Sequence, residues 1–135
     1  MSEAVSGLAT KPLGAAADVI APDGCEVRLL AVTSRGSMAH FTLLPGRVSK
    51  AVVHRTVEEV WYFLGGSGRM WRRFADEEKI TPVRPGVSLA IPTGAAFQLR
   101  NDGNGPLAAV AVTMPPWPGA DEAHVVEGPW RASVG

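Results

Sequence analysis

Residues 46–66 read GRVSKAVVHRTVEEVWYFLGG, and residues 86–101 read GVSLAIPTGAAFQLRN. Each stretch is a set of short apolar runs fenced by turn-forming residues. Alternation along a strand puts Val52 and His54 on one face. Further on, Glu59, Trp61 and Phe63 share one face and Val60, Tyr62 and Leu64 the other. Both faces of that run are apolar, which predicts a central strand covered on each side. In the second stretch Phe97 and Leu99 share a face, with Gln98 and Arg100 opposite. Neither stretch carries a helical stripe.

Outward from these stretches the texture continues. Apolar runs at 25–33, 37–44, 69–74, 79–84 and 107–114 are separated by breakers such as Pro45-Gly46, Pro85-Gly86 and the run from Asn101 to Gly105. Short, evenly spaced strands predict an all-β sandwich or barrel. With 15 Gly and 11 Pro among 135 residues, little room is left for long helices. The length suits one domain, able to bury about 68–70% of its unfolded surface without staples. We divide the chain into an N-terminal arm over 1–17, a barrel over 18–114, and a Pro/Trp-rich arm over 115–135 expected to pack on the barrel. Met114-Pro115-Pro116-Trp117-Pro118-Gly119 makes the start of that arm stiff, because each Pro fixes φ and removes a donor.

Charge and cysteine content narrow the function classes. Thirteen basic residues balance thirteen acidic ones. No net field would hold the chain on nucleic acid or an anionic membrane, so neither is an expected partner. No run approaches the ~18 apolar residues of a spanning helix, and the N-terminus lacks the features of a secretory signal. Cys25, the single cysteine, can form neither an internal disulfide nor a thiolate cluster. With no local cation or helix start to lower its pKa, it reads as buried and inert. Together these point to a cytoplasmic protein.

The intervals between the marked residues carry more. Gly46 is followed after five residues by Val52, and then come His54, Glu59 and Gly66; Gly86, Pro92, Gly94, Phe97 and Asn101 are as regularly placed. In this the chain resembles the cupin superfamily. Its first motif runs Gly, five residues, His, one residue, His, three or four residues, Glu, six residues, Gly. Its second runs Gly, five residues, Pro, one residue, Gly, two residues, His, three residues, Asn. Every interval matches, and so does every Gly, Pro and Asn, within a resemblance covering about residues 40–114. Val52 and Phe97 stand where two of the imidazoles would be, so only His54 and Glu59 of the four ligand positions are kept. The resemblance implies a double-stranded β-helix, that is a jelly-roll barrel, with an interior small-molecule site and a homodimer.

If the two motifs face each other, His54, Glu59 and Phe97 converge inside. The other expected lining residues are Val52, Trp61, Phe63, Leu99, Met38, His40, Met70 and Met114. Lys50, on the Val52–His54 face, or an arginine from Arg69, Arg72 and Arg73 could hold a carboxylate at the mouth, although the arginines read more readily as charges guarding an edge strand. Three functions stay open. His54 and Glu59 could act as a general acid–base pair in a metal-independent isomerase, epimerase, lyase or cyclase; Phe97 in place of an imidazole favours an apolar or aromatic substrate. A metal-assisted dioxygenase or isomerase would hold Fe, Mn, Ni or Zn through His54, Glu59 and a recruited third ligand, His40 or His124, since catalytic sites need about three protein ligands. A binding or sensor module would do no chemistry at all. The leading expectation is no cofactor. Trp117 could cap a barrel end, form a lid, or cover a dimer patch. Asp121 and Glu122 read as surface charges, and Gly65-Gly66-Ser67-Gly68 as a hairpin turn rather than a phosphate loop.

Overall fold

The computed structural model describes residues 7–134. Residues 1–6 of the expected N-terminal arm lie outside them, and residues 7–16 are exposed. The described strands are β1 (Val19–Ile20), β2 (Glu26–Val32), β3 (Ser37–Leu43), β4 (Ala51–His54), β5 (Glu58–Gly65), β6 (Gly68–Phe74), β7 (Glu77–Val83), β8 (Ser88–Ile91), β9 (Ala96–Asn101), β10 (Leu107–Met114) and β11 (Ala123–Val126). They form two sheets, in the orders β1-β2-β3-β10-β5-β8 and β11-β4-β9-β6-β7. Every pairing is antiparallel. The chain is a jelly-roll barrel: strand spacing predicted a sandwich or barrel, and the cupin resemblance implied the jelly roll.

Burial follows the two-residue period. On β10, Leu107, Ala109, Ala111 and Thr113 are buried, while the residues between them are only partly so. On β5, Glu59, Trp61 and Phe63 turn inward. The five-stranded sheet answers with Val52, Met70, Phe97 and Leu99, all at most 2% exposed. Small residues are set opposite large ones: Ala109 pairs with Phe63 on one side and Phe41 on the other, and Ala111 pairs with Trp61. That leaves room for the Phe41 and Trp61 rings to meet at 4.8 Å. Each such ring removed from water contributes about 1.5–3 kcal/mol.

Several expectations need correction. Val60, Tyr62 and Leu64 are 46%, 47% and 47% exposed, so β5 is covered on one face only. Met38 and His40 do not line the interior. Ala39, Phe41 and Leu43 take the inward phase of β3, which turns Met38 and His40 to the same outer face as Tyr62 and Val110. The Gly65–Gly68 stretch is not a hairpin, because β5 and β6 belong to different sheets. Its glycines are there for closeness: a Cβ on Gly66, which has φ +84°, would strike the Pro106 carbonyl, and one on Gly68 would strike that of Arg100. Nor is β6 an edge strand; it lies between β9 and β7. The charged edge sits one strand over, on β7, with Glu77, Glu78 and Lys79 exposed.

Residues beyond β10 return to the five-stranded sheet. β11 pairs with β4, and the chain then crosses the outer face over Ala51, Trp71 and Ala96. Gln98 holds it there: its amide donates to the Ser49 and Trp130 carbonyls and accepts from the Trp130 N–H. The Arg69 and Arg100 guanidiniums lie 5.6 and 5.8 Å from the Trp130 ring centre, and both pair with Asp102.

Candidate functional site

β4 and β5 lie in different sheets but are joined by only three residues, Arg55, Thr56 and Val57. The last residue of β4 therefore faces an early residue of β5 across one end of the barrel. These residues are His54 and Glu59, 5% and 3% exposed. His54 Nδ1 lies 3.9 Å from Glu59 Oε1, too far for a hydrogen bond, and this buried nitrogen has no other hydrogen-bond partner. Glu59 is held from both sides. Trp61 Nε1–H donates to Oε1 at 2.9 Å, and the Thr113 hydroxyl donates to Oε2 at 2.7 Å. The imidazole sits between two aromatic edges, Phe97 and Trp117, each with its ring centre 5.1 Å away.

The surroundings push the pair toward neutrality. Burial raises the Glu59 carboxyl above its usual 4.5, against the opposing donors Thr113 and Trp61. Burial also lowers His54 below its usual 6.5, partly countered by the negative charges of Asp23 and Glu122. The carboxyl thus keeps its proton longer, and the imidazole stays uncharged longer, than either would in water. The signs for stability follow by linkage. Folded Glu59 retains a proton that the unfolded chain releases above pH 4.5, so its contribution falls as pH rises. Unfolded His54 takes up a proton first as pH drops through 6.5, so its contribution falls on the acid side. Glu59→Gln should flatten the alkaline decline, leaving the part contributed by buried Asp23, whose carboxyl is raised as well, and should keep the acid limb in place, as read from urea midpoints between about pH 5 and about pH 8.

The structure brings together His54, Glu59, Trp61, Phe97 and Val52, with Phe63, Leu99 and Met70 deeper in the same core. Lys50 lies just before β4, its N–H on the Asp23 carbonyl. It borders a groove of about 390 Å³ beneath residues 125–132, away from His54. Of the arginines, Arg69 pairs with Asp102, Arg72 bonds the Ala90 carbonyl and Thr81, and Arg73 lies over Trp71.

Three participants escaped the sequence reading. Thr113 was legible in principle, as a hydroxyl on the inward phase of β10. Asp23 is 4% exposed and accepts from the Cys25 N–H; Pro22-Asp23-Gly24 signals a turn and nothing about burial. Glu122 is not a surface charge. It is 5% exposed and accepts hydrogen bonds from Thr56 and Val57.

This donor set does not suit a resident metal. Val52 and Phe97 offer no ligand atom, and both Glu59 oxygens already accept hydrogen bonds. His40 faces the opposite side of its sheet, and His124 is exposed on β11. Among the described residues no three His, Cys, Asp or Glu side chains are grouped to hold an ion.

Residues 39–113 match the family model described as a cupin domain. That is more than half of the chain, and the protein belongs to the cupin family. Among solved structures, oxalate decarboxylase from Bacillus subtilis superposes with a TM-score of 0.67 at 18% identity, over 79% of this chain and 29% of that one. The chain thus spans less than a third of the decarboxylase, a protein with Mn(II) centres. BH2720 from Bacillus halodurans gives 0.63 at 19% identity, over 81% of this chain and 78% of that one. TT1209 from Thermus thermophilus gives 0.57 at 27% identity, over 73% and 90%. No curated protein matches the chain. No helix among the described residues is long and apolar enough to cross a membrane.

Proposed function

We propose that this cupin binds a small apolar or aromatic molecule inside the barrel and moves a proton on it with His54 and Glu59, as an isomerase, lyase or cyclase that needs no metal. The observation that carries this reading is the buried Nδ1 of His54, without a partner and 3.9 Å from a carboxyl oxygen. A native interior seldom leaves such a nitrogen unmatched. A ligand atom between the two groups would satisfy it. Glu59, steadied by Trp61 and Thr113, would donate a proton, and neutral His54 would accept one.

The test uses a panel of aromatic and apolar carbonyl compounds in D₂O. Protein-dependent deuterium exchange beside the carbonyl is expected for at least one of them. His54→Ala and Glu59→Gln should each lower that rate by about 10²–10⁴, with Arg73→Ala unchanged. A thermal shift without exchange would support the second reading, a binding module, which the apolar residues Val52 and Phe97 favour. Activity that tracked stoichiometric bound Fe, Mn, Ni or Zn would overturn the metal-free mechanism.

The exposed apolar face of Val60, Tyr62 and Leu64, continued by Val110, Val112 and Met38, supports a second copy of the chain as its cover. Light scattering should then give twice the 14.2 kDa chain mass, and Tyr62→Lys should give monomers. The buried thiol of Cys25 fits a cytoplasmic setting.

A further inference from the structure

The end of the barrel beside His54 is closed by residues 115–122. Half of this strap is exposed: Pro115, Pro118, Ala120 and Asp121. Two of its residues point the other way. Trp117 lays its ring against His54 at 5.1 Å and 70°, and its backbone N–H donates to Ser37 Oγ at 3.0 Å. Glu122 reaches into the turn between His54 and Glu59. Its carboxylate accepts from Thr56 N–H at 2.5 Å, the Thr56 hydroxyl at 2.6 Å and Val57 N–H at 2.8 Å. Its backbone carbonyl accepts from Arg55 N–H at 2.9 Å. Directly after it, Ala123 pairs with His54 in the sheet. The strap is therefore stiffened by Pro115, Pro116 and Pro118 and gripped chiefly at one charged residue. A buried carboxylate with three donors is a strong clamp, yet one that a single change can release.

We propose that residues 115–122 form the gate to the barrel interior, with Trp117 as its plug and Glu122 as its latch. This rests on reading His54 and Glu59 as the working site. Glu122 is a positioning residue: it touches no reacting group, and it holds the turn and the strap together. Opening would swing the strap away from Ser37 and Thr56 and uncover the imidazole edge now under Trp117.

The test reads access to His54 directly, on the full chain, with diethyl pyrocarbonate as the probe and peptide mass spectrometry as the readout. His40 serves as the reference on the other sheet, and thiol labelling of buried Cys25 reports global unfolding. Glu122→Gln places an amide NH₂ against N–H donors, and it should speed acylation of His54 by about tenfold or more, with His40 and Cys25 unchanged. Trp117→Ala should expose His54 while the amides of Thr56 and Val57 stay protected from hydrogen exchange. Thr56→Ala, a milder loss of one donor, should give a smaller rise and covers the case in which Glu122→Gln does not fold. An unchanged His54 rate in a folded latch variant overturns the gate. So does a rise matched by Cys25 labelling, which would mean global opening. Deuterium exchange on substrate plays no part in this readout, so the gate and the acid–base reading can fail separately.

Discussion

Trp61→Ala should cost about 3–5 kcal/mol for the cavity alone, and more once the stranded carboxyl is counted. The indole is 2% exposed and ring-packed against Phe41, Phe63 and Phe97. Its Nε1–H is also one of the two donors that hold Glu59. Losing it leaves a buried oxygen without that partner, a further cost of about 1–3 kcal/mol. Against a typical stability of about 5–15 kcal/mol, the variant is expected to be barely folded. Trp61→Phe separates the two effects, because it keeps most of the packing and deletes the donor. Its urea midpoint should drop by only the hydrogen-bond part with an unchanged slope, and the Glu59 carboxyl should titrate still higher. If Trp61→Phe matched wild type in both respects, the indole would be core filling alone.

Asn101 should rank next. Its side-chain amide donates to the carbonyls of Leu43 and Gly105, and its oxygen accepts the Gly103 N–H. The residue is 3% exposed, and it ties the end of β9 to β3 and to the loop before β10. Asn101→Ala would orphan these groups at about 1–3 kcal/mol for each that stays dry. Asn101→Asp is more instructive. The carboxylate would face two carbonyl oxygens, so its folded pKa would rise above the unfolded value. The folded state would then hold the proton longer, and stability would fall as pH rises above roughly 4. Thermal midpoints of Asn101→Asp that decline with pH more steeply than those of Asn101→Ala, which should keep the wild-type profile, would confirm the arrangement.

Asn101 also shows why the barrel could be read from the chain. It stands where a strand must stop and a loop must be tied down, and its distance from Gly86, Pro92 and Gly94 reflects strand length. Strand length and turn chemistry are local properties, so spacing records them. The inward phase of β5 and β9 was legible for the same reason, since a strand presents alternate residues to each side. The outward phase was not. Val60, Tyr62 and Leu64 look in sequence like a second buried face, and only the position of β5 within a sheet shows what covers it. The phase of β3 failed likewise: Met38-Ala39-His40-Phe41 can be slid by one residue without offending the pattern. Pairing with β10 settled it.

By itself the sequence determined the jelly-roll barrel, the membership of His54, Glu59, Trp61 and Phe97 in its inward faces, and the loss of two imidazoles at Val52 and Phe97. The inward faces follow from period-two alternation and the strand count from residues that dictate turns, while the jelly roll and the two lost imidazoles follow from the resemblance to the cupin motifs. The tertiary structure alone decided that His54 Nδ1 is left without a partner, that His40 lies across the sheet from it, and that Asp23, Thr113 and Glu122 belong to the same neighbourhood. Those facts depend on contacts between residues far apart in the chain, such as the 65 positions between Glu122 and Val57. Such contacts arise from packing two sheets together, and no local pattern encodes which charges packing will bury.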